Sequence, residues 1–267
     1  MVEYQFKERY DINDLREIMA ILRSPEGCPW DREQDHKSIK SDFIEEVYEA
    51  IEAIELDDTD LLKEELGDVL LQVVFHCSIE EEKSSFSFDD ICDELCKKLI
   101  VRHPHVFSSV SVADSNEVLK NWDSIKKQTK GQTSYTETLT SVAKSLPALM
   151  RAQKVGKRAM RAGMDFNSVN DAIDCIKSET AELEEAIVTD NKEAIFEEFG
   201  DLLFSCVNTA RHLGIDAEEA MTQATEKFID RFAKTENLVR LSGADMKALS
   251  IEQLDVYWKK AKLIEEN

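Results

Sequence analysis

The chain has 267 residues, and its 55 acidic against 33 basic side chains give a formal net charge of −22. A surface of this charge disfavours long nucleic acids and anionic membranes as partners. Eight glycines and four prolines are well below the usual shares of about 7% and 5%, which argues against turn-rich β folds. The glycines form neither a Gly-x-Gly pair nor a Gly-Lys-Ser/Thr motif, so the dinucleotide fingerprint and the P-loop are excluded.

Apolar residues recur at helical spacing along most of the chain, which predicts an all-α protein. A polar segment rich in threonine and serine, at 131–141, is the best candidate for an interdomain linker. We therefore expect an N-terminal domain at 1–130 and a C-terminal domain at 142–267. The predicted helices cover residues 11–23, 38–56, 59–82, 88–101, 114–129, 142–160, 168–189, 191–213, 216–240 and 250–263.

The chain begins with polar and charged residues, and its longest apolar stretch, at 69–77, is far short of the ~20 residues that span a bilayer. These features predict a cytoplasmic protein without a membrane segment. The six cysteines show no Cys-x-x-Cys spacing and lie mostly among apolar helical neighbours. This pattern favours buried reduced thiols over a zinc site or a disulfide framework.

The chain repeats itself at an offset of 133 residues. The sequence EVYE at 46–49 matches ETAE at 179–182, and EELGDVL at 64–70 matches EEFGDLL at 197–203, with the same spacing between the two motifs. With small length differences farther on, Lys98, Arg102 and Trp122 match Lys227, Arg231 and Trp258. The pattern indicates a tandem duplication of one helical module.

Each half of the duplication carries two pairs of acidic residues at i,i+3 spacing. On a helix this spacing places both side chains on one face, with Cβ atoms ~5–6 Å apart. Two such helices packed antiparallel would bring four carboxylates together, and their repulsion needs cations to offset it. Oxygen-only ligation favours Mg²⁺ or Mn²⁺ over zinc. The pairs are Glu46/Glu49 with Glu65/Asp68, and Glu179/Glu182 with Glu198/Asp201.

The acidic pairs could also be ordinary residues of solvated helix faces. A chain with 33% charged residues produces many such spacings. Two features favour a site. The second pair lies among strongly apolar residues, and both halves retain a glycine in mid-helix that costs ~1 kcal/mol. We expect close helix packing to be the reason for that glycine.

Lys227 and Arg231 lie at i,i+4 spacing on one helix face and could neutralise phosphates bound beyond the metals. The alternative is a pair of surface salt bridges. Trp258 could stack on a nucleobase or could simply pack a helix end. The first half carries a matching set at Lys98, Arg102 and Trp122.

The motifs resemble those of the MazG family of nucleoside triphosphate pyrophosphohydrolases, in particular the bacterial type with two tandem MazG domains. The resemblance covers nearly the whole chain and is carried by several blocks. They include GCPWDREQDHKSI at 27–39, EELGDVLLQVVFH at 64–76, RHPHVF at 102–107, SLPALMRAQKVGKRAMRAGMDF at 145–166 and EEFGDLLFSCVNTARHLGID at 197–216.

The resemblance implies Mg²⁺-dependent hydrolysis of (deoxy)nucleoside triphosphates to monophosphates and pyrophosphate, with Mn²⁺ as a substitute metal. It also implies two tandem helical-bundle domains in a homodimer, with the main site in the C-terminal domain and a role in house-cleaning or nucleotide-pool control. Carried over, the metal ligands and catalytic residues would be Glu179, Glu182, Glu198 and Asp201. A second set, whose activity the resemblance leaves open, lies at Glu46, Glu49, Glu65 and Asp68. Substrate would contact Lys227, Arg231, Trp258, Ser178 and Glu197, or in the second set Lys98, Arg102 and Trp122.

The two halves differ next to the first motif. Glu45 precedes Glu46 in the N-terminal half, whereas Ser178 precedes Glu179 in the C-terminal half. The family pattern therefore leaves the general base of the C-terminal site open.

The sequence leaves two alternative functions to consider. A di-iron bundle needs two Glu-x-x-His pairs, and only Glu33 and His36 have that spacing, outside the repeat. A non-catalytic helical protein for nucleotide sensing or oligomerisation is the stronger alternative, especially for the N-terminal domain, because one copy of a duplicated enzyme is free to become a scaffold.

Overall fold

The computed structural model describes residues 4–112, 114, 117–118, 121–122, 125, 129 and 131–265. Within these residues every regular element is a helix, which confirms the predicted all-α class. The chain divides into two compact units, Met1–Lys126 and Lys127–Asn267. In the described part of the chain no helix combines the length and the apolar character needed to cross a bilayer.

The N-terminal unit is built around a hairpin of two long helices, α3 and α4, and α1 packs against α4. The buried side chains of Met19, Ile39, Val74, Phe75 and Ile79 form its core. Its described helices are α1 (Ile12–Arg23), α2 (Pro29–Glu33), α3 (Lys40–Glu55), α4 (Thr59–Glu82), α5 (Phe88–Arg102) and α6 (Pro104–Phe107).

The C-terminal unit repeats this arrangement, because α8 packs against the hairpin of α9 and α10; α11 and α12 form a further hairpin within this unit. Its described helices are α7 (Tyr135–Thr140), α8 (Ala148–Arg161), α9 (Val169–Val188), α10 (Lys192–His212), α11 (Ala217–Leu241) and α12 (Ile251–Glu265), with one 3-10 turn at Met246–Ala248.

The two acidic hairpins turn in the same way. Asp57 and Asp190, at the same offset of 133 residues, both adopt positive φ angles, of 53° and 50°. The next residue caps the following helix in each case: the Asp58 carboxylate accepts from the backbone N–H of Leu61 at 3.0 Å, and the Asn191 side chain accepts from that of Ala194 at 3.3 Å. Helices α4 and α10 therefore begin in the same register, which fixes their acidic residues at equivalent positions.

The structure differs from the sequence-based expectations in two places. The helix expected at 142–160 begins only at Ala148, because Pro147 takes an extended conformation and serves as the N-cap. The expected linker contains α7, and the Arg158 side chain donates to the Ser141 hydroxyl at 2.9 Å from α8. Most of the helix expected at 114–129 lies outside the described residues.

All six cysteines are free thiols, as expected, but their predicted burial was largely wrong. Only Cys77 is buried; Cys28 and Cys175 are half-buried, and Cys92, Cys96 and Cys206 are exposed. Apolar neighbours along a helix do not ensure burial when that helix presents its apolar positions on more than one side.

Candidate metal centre

Each hairpin brings three glutamates together. In the N-terminal unit the carboxylates of Glu46 and Glu49 on α3 and Glu65 on α4 offer oxygen atoms that all lie within 4.8 Å of one another. In the C-terminal unit Glu179, Glu182 and Glu198 do the same. The predicted convergence of the two acidic motifs is therefore present in both units for three of the four carboxylates, and the side chains of Asp68 and Asp201 belong to neither group. The oxygen atoms are close enough to share one cation.

Burial and acidic neighbours raise the pKa of one carboxyl group on the second helix of each hairpin. Burial raises the pKa of Glu198 above its ordinary value, and the nearby charges of Glu182, Asp201 and Glu179 raise it further. The pKa of Glu65 is raised in the same way, first by burial and then by Glu49 and other acids. Such a site favours protons or metal cations. Asp201 lies close enough to act on the cluster even though it is not one of the three converging side chains.

Two neighbouring side chains hold the C-terminal glutamates. The Cys175 thiol donates to Glu179 Oε1 at 3.5 Å, and the Ser178 hydroxyl donates to Glu182 Oε1 at 2.9 Å. Burial raises the pKa of the Cys175 thiol, and its hydrogen bond to Glu179 raises it further, so this group stays a donor at neutral pH. At the corresponding positions the N-terminal unit has Asp42 and Glu45, which add negative charge instead. The two candidate metal centres are therefore alike in their carboxylates and unlike in their surroundings.

The structure pairs the predicted basic and aromatic residues with each other. The Arg231 guanidinium on α11 lies 5.3 Å from the ring centroid of Trp258 on α12, and Arg102 lies 5.5 Å from that of Trp122. The repeat is thus preserved in three dimensions. Lys227 and Lys98 are both exposed.

Trp258 lines a different cavity from the carboxylates. Trp258 lies in the wall of a cavity of about 540 Å³, together with Phe228 and Phe232. The cleft beside the acidic cluster has a volume of about 270 Å³ and is lined by Glu182, Glu185, Ala186, Thr189, Ala194 and Glu198. Glu197 is exposed beside Glu198. Convergence of the basic set on the metal centre therefore stays a prediction.

Comparison with known proteins identifies the family of the chain. A model of the MazG nucleotide pyrophosphohydrolase domain matches residues 34–107 and 167–235, so the family pattern occurs twice. The chain belongs to the MazG family. Both matches contain a complete acidic hairpin, and this confirms the predicted tandem organisation.

Three curated relatives cover nearly the whole MazG chain. A nucleoside triphosphate pyrophosphohydrolase/pyrophosphatase MazG of Thermotoga maritima is 45% identical over 93% of this chain and 94% of its own. A nucleoside triphosphate pyrophosphohydrolase of Escherichia coli is 42% identical over 94% of this chain and 97% of its own. An uncharacterized protein of Bacillus subtilis, YabN, is 43% identical over 95% of this chain and 52% of its own.

The glycine inside each acidic motif does not have the predicted role. A Cβ atom built on Gly67 or Gly200 meets no atom within 4 Å, so close packing within the described chain does not account for either residue. Both glycines lie inside long helices, α4 and α10, and both are exposed. Within the described chain the expectation of close packing was wrong, because no neighbouring helix comes within 4 Å of the added Cβ.

We expect Gly200→Ala and Gly67→Ala each to stabilise the metal-free protein by about 0.5–1 kcal/mol, since alanine is the better helix former and the added methyl group meets open space. Urea unfolding measures the change. Gly163→Ala is the matched control and should destabilise, because Gly163 has a φ of 92° that an L side chain rarely adopts. A loss of stability in the first two variants would contradict the open space around them.

His36 does not support a di-iron centre. Its Nδ1 lies 2.7 Å from His76 Nδ1, and its Nε2 lies 2.6 Å from a carboxylate oxygen of Glu80. Hydrogen bonds from Lys83 and His36 lower the pKa of Glu80 to about 2, so these side chains already form a satisfied network. Among the described residues, both groups that could hold an ion consist of glutamates alone. This composition favours the oxygen-only ligation of Mg²⁺ over the mixed set of a di-iron protein.

Proposed function

We propose that this MazG chain hydrolyses (deoxy)nucleoside triphosphates, ATP among them, to the nucleoside monophosphate and pyrophosphate, with Mg²⁺ held in the C-terminal unit. The observation that carries the proposal is the convergence of Glu179, Glu182 and Glu198 within 4.8 Å. The printed names of the Thermotoga maritima and Escherichia coli relatives support the same activity. Because these relatives match along nearly their whole length, the activity is assigned to the full chain.

The residues of the cluster fit Mg²⁺. Carboxylate oxygens are its preferred protein ligands, and burial together with the charges of Glu182, Asp201 and Glu179 raises the pKa of Glu198. Glu179, Glu182, Glu198 and Asp201 would hold the ion. When bound, it would neutralise phosphate charge and lower the pKa of the attacking water. Mn²⁺ has the same ligand preference and is the expected substitute.

The side chains around the cluster have separate tasks in this reaction. Ser178 and Cys175 orient Glu182 and Glu179 through their hydrogen bonds. Water adds its oxygen to the α-phosphorus and expels pyrophosphate, or adds it to the β-phosphorus and expels the nucleoside monophosphate. In both cases the bridging P–O bond breaks, the water protons pass to solvent and the two products are the same. Lys227 and Arg231 stabilise the charge of the pyrophosphate group, while Trp258 and Glu197 contact the nucleotide.

Self-association into a homodimer is part of the proposal. Large apolar side chains are exposed on the acidic hairpin of the C-terminal unit, where Phe196 is 84% and Val188 85% accessible. Apolar side chains exposed to this degree are typical of surfaces that become covered in an assembly. Light scattering after gel filtration gives the mass in solution and tests the dimer.

The N-terminal unit is the candidate for a non-catalytic role. Asp42 and Glu45 stand where the C-terminal unit has the donors Cys175 and Ser178, so its glutamates lack the same support. A unit that binds metal or nucleotide without turnover would still serve sensing or assembly. House-cleaning or nucleotide-pool control as the physiological role, and a cytoplasmic location, are proposed on the family resemblance.

The experiment that tests this function separates the products of a nucleoside triphosphate after incubation with the full chain. We expect nucleoside monophosphate and pyrophosphate with Mg²⁺, loss of turnover in EDTA, and recovery when Mg²⁺ or Mn²⁺ is restored. Ion-exchange chromatography identifies the products. Release of a diphosphate with inorganic phosphate, or undiminished turnover in EDTA, would contradict the proposal.

A further inference from the structure

Two histidines of the N-terminal unit share one hydrogen bond. His36 lies in the connecting segment, residues 34–39 between α2 and α3, and His76 lies on α4. His36 Nδ1 is 2.7 Å from His76 Nδ1, and the two rings are stacked with their centroids 5.0 Å apart. Two nitrogens at this distance are joined by a hydrogen bond, which contains a single proton.

Glu80 on α4 determines where His36 carries its hydrogen. Glu80 Oε1 lies 2.6 Å from His36 Nε2 and 2.7 Å from Lys83 Nζ. Hydrogen bonds from Lys83, His36 and Ser85 lower the pKa of Glu80 to about 2, so its carboxylate is ionised at neutral pH and can only accept. His36 Nε2 therefore carries a hydrogen and donates it to Glu80.

The pair of rings can hold one positive charge but not two. A neutral imidazole carries one N–H group and an imidazolium carries two. When the shared proton belongs to His76, both rings are neutral; when it belongs to His36, that ring is an imidazolium and His76 is neutral. Two imidazolium rings would direct two N–H groups at each other across 2.7 Å. A second charge therefore breaks the contact.

We propose that the contact between His36 and His76 is an acid-sensitive clamp, which holds the connecting segment on α4 near neutral pH and releases it when both rings are protonated. The inference goes beyond the proposed function, because the clamp needs neither metal nor nucleotide. Ile39, the last residue of the segment, is the N-cap of α3. The clamp therefore couples the pH of the solution to the start of the helix that carries Glu46 and Glu49.

The surroundings of His76 favour its neutral form. Burial lowers the pKa of His76 below its ordinary value, and the neighbouring His36 lowers it further. The ring of Phe43 on α3 lies 5.5 Å from the His76 ring between centroids and brings no charge. The charged groups on α4 at the clamp are Glu80, which bonds to His36, and Lys83, which bonds to Glu80. Among the described residues, no carboxylate bonds to His76 to stabilise a positive charge there.

The chain before the clamp is held on α4 by a contact that does not titrate in this range. Arg23 at the end of α1 donates to the backbone carbonyls of Asp31 and Gln34 and pairs with Glu82 on α4. Arginine stays charged at any pH that the folded chain experiences. Acid is therefore expected to free residues 35–39 while Arg23 still holds the residues before them.

The C-terminal unit has no equivalent of the clamp. At the offset of 133 residues, none of the side chains that correspond to His36, His76 and Glu80 can titrate near neutral pH. The corresponding residues are Val169, Thr209 and Leu213. The duplicated modules therefore differ in their expected response to acid, and the C-terminal unit serves as an internal reference in the same chain.

The test is hydrogen–deuterium exchange of the full chain at pH 7.5 and pH 5.5 in EDTA, read by mass spectrometry and corrected for the intrinsic pH dependence of exchange. The amides of Lys37 and Ser38 donate to the Asp35 side chain and report on opening of the segment. A released imidazole with a pKa near 6.5 takes up about one more proton across this range, which favours opening about tenfold.

We expect peptides that cover residues 34–39 to lose protection about tenfold at pH 5.5. Peptides that cover residues 24–33, and those of the C-terminal unit, should keep their protection. Equal protection of residues 34–39 at the two pH values in the unaltered chain would overturn the proposal. A uniform loss over all of these peptides would also overturn it, because acid would then open the chain without regard to the clamp.

Two substitutions give the matched comparison. His76→Asn places an amide group near the position of Nδ1, so it can bond to His36 but cannot take up a proton. It should keep the protection seen at pH 7.5 and lose the fall at pH 5.5. The control is His212→Gln, which removes a ring whose Nε2 lies 2.9 Å from Asp165 in the C-terminal unit. It should leave the response of residues 34–39 unchanged, and an undiminished response in His76→Asn would contradict the clamp.

The protonation states are measured directly by ¹⁵N NMR of the unaltered chain with labelled histidine, which depends on no variant. We expect the rings of His36 and His76 both to become imidazolium only over the pH range in which residues 34–39 lose their protection. Two imidazolium rings in a chain whose connecting segment keeps its protection would overturn the proposal.

Discussion

Replacing Glu198 by glutamine is expected to lower pyrophosphate release by about 100- to 1,000-fold at saturating Mg²⁺. The change keeps the shape of the side chain and removes one negative charge from the three carboxylates that converge within 4.8 Å. A metal that loses an anionic ligand is held less tightly and neutralises the phosphates from a less defined position. Steady-state release of pyrophosphate from a triphosphate panel measures the effect.

The matched variant is Glu65→Gln, at the same place in the N-terminal repeat, and it should leave most of the activity in place. Full loss on Glu65→Gln with retention on Glu198→Gln would reverse the assignment of the main site. Unfolding of the chain would not explain an inactive Glu198→Gln variant. The charges of Glu182, Asp201 and Glu179 raise the pKa of Glu198, so removing its charge relieves repulsion in the metal-free protein.

Replacing Arg23 by alanine is expected to destabilise the N-terminal unit by about 3 kcal/mol. Its side chain is 4% exposed and forms an ion pair with Glu82, with Nε–Oε1 at 2.6 Å and Nη2–Oε2 at 2.9 Å. The Nη1 group donates to the backbone carbonyls of Asp31 and Gln34 at 2.5 and 3.2 Å. Alanine would leave these carbonyls unpaired and open a cavity beside Phe75.

Arg16→Ala is the control for the Arg23 variant. Arg16 pairs with Asp89, whose side chain is 75% exposed, so its loss should cost less than about 1 kcal/mol. Urea unfolding of the full chain is the measurement, with two transitions expected for two units. Only the transition of the N-terminal unit should shift in the Arg23 variant. Equal effects of the two variants would contradict the view that Arg23 fills the N-terminal core.

Much of the fold follows from local patterns that survive in any tertiary context. Helical spacing predicts the long helices, and the boundaries of α4 and α9 were expected to within one residue, because Asp58 and Ser168 are side chains that cap helix N-termini. The start of α8 was predicted six residues too early, because apolar periodicity alone does not mark Pro147 as the N-cap. The apolar periodicity continues through this proline. The start of the helix after it depends instead on backbone sterics.

The acidic site could also be predicted from the sequence, because i,i+3 spacing by itself places two side chains on the same helix face. The spacing gives no information about the positions of side chains outside the repeated motif. The donors at Cys175 and Ser178 could have been found by asking which residues lie one turn before each glutamate, because i,i+4 neighbours meet on a helix. No such signal predicts that Gly67 and Gly200 meet open space.

By itself the sequence determined the all-α class, the duplication and the two carboxylate sets, because each depends on intervals along one chain. Only the tertiary structure decided which of two equivalent spaces, one in each unit, is filled by side chains. Arg23 packs over Phe75 in one unit, while Gly156 and Asn208 border an open cavity in the other. The physical reason is that a cavity depends on the combined volume of side chains from helices far apart in sequence, and periodicity carries no information about that volume.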